Sequence, residues 1–282
     1  MSYFIDEKER IITYKTIDDK KIDLIYLPPL SKKYEKAPVY FLISGGGWHN
    51  ESKVAMYGFS KISADELRKM GWAVISIDYS VVSLDMSVKD DISIKEVTAD
   101  VFDALNFVAD NEDSLGVDGQ KIVVSGHSAG AHLSCLVSYA DPKLIMGDSF
   151  EKRYKIIGCA TISPLTILYF DAVCYKTMEF DHNFIFYKKE YDDQVAHLYS
   201  PYEHINENSV NTLFIHGTDD NLVSVHNSIM AFNKGKSLGA PFELITPINA
   251  GHSIECMKND FVYPSIPFYQ HMIATFANDL LD

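Results

Sequence analysis

Five consecutive residues, Gly126-His127-Ser128-Ala129-Gly130, carry the strongest chemical signal in the chain. They follow the β-branched run Ile122-Val-Val-Ser125 and precede an apolar stretch with helical spacing. G-x-S-x-G thus sits between a strand and a helix, the context that turns a weak pattern into a strong one. Ser128 must occupy a sharp, strained turn with its hydroxyl projecting. Side chains at 126 and 130 would collide there with neighbouring backbone. The following helix points free N–H groups at any charge developing near Ser128. The chemistry on offer is nucleophilic attack on an acyl carbon. A serine hydroxyl is a poor nucleophile at neutral pH, so it needs a base, and the base needs an orienting acid.

In this arrangement acid and base follow the serine along the chain, in that order, on loops after strands. Ten histidines compete for the base role. His49, His127 and His132 precede or flank the serine, and His182, His197 and His204 lie in a long insertion. His216 precedes the acid, and His226 and His271 fall in predicted helices. Only His252, in Asn249-Ala-Gly-His252, meets chain order and loop placement together. The acid comes from His216-Gly-Thr-Asp-Asp220, where Asp219 and Asp220 are adjacent and spacing does not separate them. An oxyanion also needs donors, and losing one costs around a hundred- to a thousand-fold in rate. The Ala129 N–H supplies one. The Gly45-Gly-Gly47 run supplies others, because only side-chain-free backbone approaches a substrate oxygen so closely. No cofactor or metal is required for this chemistry.

These loops need a scaffold. Predicted strands at 11–15 and 22–27 form a hairpin through Asp18-Asp19-Lys20, and a continuous apolar strand follows at 39–43. Strands at 73–78, 121–125, 156–162, 212–216 and 242–246 alternate with helices near 60–70, 94–111, 129–139, 225–238 and 265–281. The alternation predicts an α/β fold with a mostly parallel twisted sheet and helices on both faces. Ligands in such sheets bind at the carboxyl ends of the strands. The chain reads as a single domain, 1–282, interrupted by an insertion at about 164–210. That segment is dense in aromatics: Tyr169, Phe170, Tyr175, Phe180, Phe184, Phe186, Tyr187, Tyr191, Tyr199 and Tyr202. Insertions of this length usually act as lids or binding loops. Trp48, His127, Tyr169 and Phe170 are the expected substrate contacts.

Composition narrows the partners. With 25 Lys and Arg against 39 Asp and Glu, the net charge is −14, which repels phosphate backbones and anionic lipid. Nucleic acid and membrane partners are not expected. No apolar run reaches spanning length. The N-terminus alternates charge and hydrophobe without a signal-peptide core. Cys135, Cys159, Cys174 and Cys256 show no C-x-x-C or zinc spacing and read as buried or partly buried free thiols in a reducing compartment. A cytoplasmic location is the expectation. Monomer and homodimer both remain open.

Ser44-Gly-Gly-Gly-Trp48, Asp78-Tyr79, Gly126-His-Ser-Ala-Gly-Ala-His-Leu133, Ser200-Pro201, His216-Gly-Thr-Asp-Asp-Asn-Leu-Val223 and Gly251-His252 occur in the order found in the α/β-hydrolase superfamily. Within it the chain resembles the esterase and lipase group related to hormone-sensitive lipase, near small acyl esterases of kynurenine-formamidase-like and acetyl-xylan-esterase-like type. The resemblance implies Ser128 as nucleophile, His252 as base and Asp220, the fifth residue of its motif, as acid. It assigns the oxyanion donors to Gly46, Gly47 and Ala129. It implies a serine carboxylic-ester hydrolase working on a small-molecule ester, and the aromatic insertion points to a modest apolar pocket for short-chain or aromatic esters. An arylformamidase on the same triad and a catalytically idle ligand-binding homologue are the rivals. Two departures stand out: Ser44 replaces the family's usual histidine, and Ser80 with Val81–Met86 replaces the usual arginine and Pro-rich stretch.

Overall fold

All described strands belong to one eight-stranded sheet, in the order β1-β2-β4-β3-β5-β6-β7-β8. The computed structural model describes residues 10–50, 52–83, 92–169, 192–257 and 261–281. The hairpin of β1 (Arg10–Ile17) and β2 (Lys20–Leu27) turns at Asp18 and Asp19, whose φ angles are 45° and 65°. Two adjacent left-handed residues are what a two-residue hairpin turn requires, and aspartate tolerates that backbone better than most. β2 pairs antiparallel with β4 (Ala73–Ile77). From there β3 (Ala37–Ile43), β5 (Val117–His127), β6 (Ile156–Ile162), β7 (Asn211–Ile215) and β8 (Phe242–Ile245) run parallel.

The central strands are covered on both faces, which explains their unbroken apolar sequences. In β3, Val39, Phe41 and Ile43 enter one core while Tyr40 and Leu42 enter the other. The helices Ile94–Asp110 and Ala129–Tyr139 close the first core. Ser93 and Glu96 form a capping box that fixes the start of the former, and Val97, Val101, Leu105 and Val108 are its buried face. The helices Lys61–Lys69 and Ile266–Asp279 pack together over the second core.

The structure departs from the sequence reading in its short elements. β5 starts at Val117, where an irregular register lets Ala37 pair with it before the regular ladder begins. The helices Lys53–Phe59, Glu112–Leu115 and Pro142–Met146 were not expected, and Asp193–Leu198 and Pro201–His204 lie inside the insertion. Each is too short to show a helical period, and Lys53–Phe59 also carries Gly58. Phe170, Tyr175, Phe180, Phe184, Phe186, Tyr187, Tyr191, Cys174 and residues 84–91 lie outside the described residues. Cys135 and Cys159 are buried, but Cys256 is exposed, because it sits in the surface loop after His252. Among the described residues no helix is long and apolar enough to cross a membrane.

Candidate active site

Five parallel strands end in line. Ile43 pairs with Gly126, His127 with Ile162, Ile162 with Ile215, and Ile215 with Ile245. The loops that follow them therefore meet at one edge of the sheet. Seven described non-glycine residues have positive φ; two make the hairpin turn, and the other five are Trp48, Ser128, Ser163, Asn249 and Ile254 in these loops. Backbone strain of this kind concentrates where a fold has a task. Ser128 has φ 56° and ψ −121°. A Cβ on Gly126 would lie 2.3 Å from the Gly130 backbone, and one on Gly130 would lie 2.1 Å from the Ile43 carbonyl oxygen. The elbow passes under the β3 terminus only because both positions lack side chains.

Of the two adjacent aspartates, Asp220 faces the imidazole, with Oδ2 2.8 Å from His252 Nδ1. Its Oδ1 accepts the backbone N–H groups of Leu222 and Val223 at 2.9 and 2.8 Å. Burial by itself would push the Asp220 carboxyl up. Hydrogen bonds from His216 and His252 outweigh it and hold the group well below the usual carboxylate range. The His252 carbonyl accepts from His127 Nε2 at 3.0 Å and from Ser163 Oγ at 2.8 Å. The His127 ring stacks on Phe59, with centroids 4.7 Å apart, and lies 4.9 Å from the His252 ring. Burial, reinforced by the nearby His252, lowers His127 to about 4. His252 Nε2 is buried and makes no hydrogen bond, so its link to the Ser128 hydroxyl is not made. Such links are often long without substrate and tighten in the reacting complex.

The glycine loop is held differently. Gly46 and Gly47 have φ of 117° and 62°, and Trp48 follows at 61°. The Gly46 carbonyl accepts from His49 and Asn50 N–H at 3.3 and 3.1 Å, and a Cβ on Gly46 would lie 1.7 Å from the Asn50 oxygen. Ser44 Oγ accepts the Ser52 N–H at 3.1 Å, and the Ser44 carbonyl accepts the Tyr79 hydroxyl at 2.8 Å. Asp78 accepts the Lys53 N–H and pairs with its ammonium. The indole N–H of buried Trp48 donates to His132 Nδ1 at 3.2 Å, and His132 Nε2 donates to the Tyr199 carbonyl at 2.8 Å. Burial lowers His132 to about 4, so its Nδ1 stays an acceptor at neutral pH.

A cleft of about 310 Å³ brings Gly46, Gly47, Trp48, His127, Ser128 and His252 together. Asp220 and Ala129 are buried behind its lining. Tyr169 is not on that lining; it stacks on His197 with ring centroids 3.8 Å apart. Phe170 lies outside the described residues. His49, Asn50, Leu165, Leu222 and Val223 complete the walls. Sequence reading had not named Asn50 or Leu165; it had met His49 only as a rejected base and Leu222 and Val223 only as part of the motif from His216 to Val223. A second recess of about 250 Å³ adjoins the cleft across Gly46 and His127 and is floored by Met56 and Phe59. Among the described residues no group of three His, Cys, Asp or Glu side chains is placed to hold a metal ion.

The sequence matches the BD-FAE family over residues 23–234. The chain belongs to the BD-FAE family. As a BD-FAE member it has the α/β-hydrolase fold of the esterase and lipase superfamily. It is 34% identical over 100 residues to esterase LipC of Mycobacterium tuberculosis, a stretch covering 36% of this chain and 22% of that protein. It is 27% identical over 152 residues to the isoprenylcysteine alpha-carbonyl methylesterase ICME of Arabidopsis thaliana, covering 53% and 32%. These matches span about a fifth to a third of the relatives' lengths. Propionate-bound esterase 2 of Thermogutta terrifontis superposes with a TM-score of 0.74 at 23% identity, over 98% of this BD-FAE chain and 94% of that one. A butyrate-bound structure of the same esterase gives a TM-score of 0.73 at 23% identity over the same shares.

Proposed function

We propose that the protein is a serine carboxylic-ester hydrolase acting on small esters with a short acyl chain or an aromatic group. One observation carries the reading: Asp220 orients His252 through Nδ1, while the unpartnered Nε2 belongs to a ring lining the same cleft as Ser128. Ser128 Oγ attacks the acyl carbon as His252 Nε2 takes its proton. The carbonyl oxygen, now negative, lies against the N–H groups of Gly46, Gly47 and Ala129. Collapse expels the alcohol, which receives the proton from His252 and leaves an acyl-serine. Water then repeats the sequence, giving up its proton to His252 and releasing the acid. The Asp220 carboxylate stays ionised throughout and stabilises the imidazolium.

The substrate class rests on size and lining. At about 310 Å³ the cleft lies at the small end of ligand sites, which run from roughly 300 to 1,000 Å³. Leu165, Leu222, Val223 and Trp48 make its walls apolar. The similarly folded Thermogutta terrifontis esterase 2 has been seen with propionate and butyrate bound, acids of the size this cleft accepts.

The test is a rate panel of p-nitrophenyl acetate, butyrate, octanoate and laurate, with N-formylkynurenine, on wild type and Ser128→Ala. Acetate and butyrate esters should be fastest, and Ser128→Ala should lower their hydrolysis by at least about a thousand-fold. A formamide rate exceeding the esters would reassign the leaving group. Equal rates in both proteins would overturn the hydrolase reading in favour of a ligand-binding role.

A further inference from the structure

We infer that His216 is a positioning residue for this site: it donates to the same Asp220 oxygen that receives His252, and so sets how firmly the carboxylate holds the His252 ring. The inference rests on the triad reading above.

His216 is fully buried where β7 ends. Its Nε2 lies 3.1 Å from Asp220 Oδ2 and 3.0 Å from the Val223 carbonyl oxygen. A carboxylate and a carbonyl both accept, so Nε2 must carry the hydrogen. Nδ1 lies 2.8 Å from the hydroxyl of Ser228, itself fully buried in the helix His226–Leu238. The ring is thus held at both nitrogens, and its one donor is shared between Asp220 and the Val223 carbonyl. Asp220 in turn takes two backbone N–H groups on Oδ1 and two imidazoles on Oδ2. An apolar side chain would fill the same space without that bond.

The consequence has a sign. Each donor disperses the carboxylate charge, and a more dispersed charge binds the His252 imidazolium less strongly. Removing the His216 donor makes Asp220 a stronger acceptor for His252, which favours the protonated base. His252 must be neutral to accept the Ser128 proton, so the acid limb of activity moves to higher pH. Among the described residues, the titratable groups close to the His252 loop are His127, whose ring lies 4.9 Å from that of His252, Asp219, whose N–H binds the Ala250 carbonyl, and Glu255, which accepts the Ser253 N–H. None of them changes in this comparison.

The experiment is the pH profile of kcat/KM for p-nitrophenyl acetate with wild type, His216→Phe, His216→Gln, Ser228→Ala and Asp220→Asn. His216→Phe should raise the acid limb by roughly 0.5–1 pH unit, with kcat on the plateau and KM each within about threefold. His216→Gln keeps an N–H near the Nε2 position and should return the limb toward wild type. Ser228→Ala, which loosens the ring without touching Asp220, should move the limb the same way by less. If His216→Phe does not fold, the other two variants carry the test. An unmoved limb in Ser228→Ala and His216→Phe, or a downward shift, overturns the assignment. Wild-type activity in Asp220→Asn would remove the triad itself, and with it this inference. Loss in Asp220→Asn with no shift at 216 or 228 rejects His216 alone.

Discussion

The two sides of the cleft hold their groups by different physics. On the His252 side a single buried carboxylate gathers four donors, and the imidazole is located by charge-assisted bonds. On the glycine side the bonds that hold the loop are neutral. Gly46 and Gly47 adopt left-handed backbone, and neutral bonds from Ser52, Tyr79 and Val82 pin the segment from 44 to 48. The first side is sensitive to a change of charge at constant shape, the second to a change of shape at constant charge. The proposed mechanism asks for a proton transfer on the first side and an oxyanion cradle on the second, which matches that division.

Three perturbations would break or sharpen this contrast. Asp220→Asn keeps the shape and removes the charge, so the His252 side should fail: kcat should fall by about 10³–10⁴-fold. Steady-state kinetics on a short-chain ester checks this, with circular dichroism to show an intact fold. Gly46→Ala adds one methyl and no charge. With Asn50 in its way and φ at 117°, the loop must shift and misplace its donors, lowering kcat by about 10²–10³-fold. A loss below tenfold would mean that the Gly46 and Gly47 amides are not the oxyanion donors. The smallest effect is acid stability. His127 and His132 are lowered to about 4 in the fold, against 6.5 when free. The unfolded chain therefore binds more protons between these values, and stability falls as pH drops from 6.5 toward 4. Each ring contributes about 3 kcal/mol over that window. Thermal unfolding from pH 7 to 4.5 should show the decline, with a shallower slope in His132→Gln. Equal slopes would mean that His132 does not lose its bond to Trp48 by protonation.

The alternation of strands and helices was legible because each parallel strand is buried on both faces and reads as an apolar run. The placement of Ser128, the Asp219-Asp220 pair and His252 on loops after strands was legible for a related reason: each follows such a run, with a glycine nearby that a close approach demands. Asp219 and Asp220 were not separable by spacing, since either could fold back onto N–H groups two and three residues on. What distinguishes them is tertiary, because the Asp219 N–H goes to the Ala250 carbonyl and turns Asp220 toward His252. His216 looked like a strand-end histidine set aside by its position before the acid. Its partner Ser228 lies twelve residues on, in a helix whose packing no local pattern announces. The replacement of histidine by Ser44 was legible as a substitution, but its bonding to Ser52 depends on a short helix that sequence did not reveal.

The His252 carbonyl hangs from two side chains, His127 and Ser163, that belong to the ends of other strands. The imidazole is therefore registered to the sheet from its own backbone, like a hinge pin seated in the frame and not in the door. The proposed proton-transfer geometry is then referenced to the ends of the sheet and not to the chain that follows, whose helix Ile266–Asp279 serves the second core.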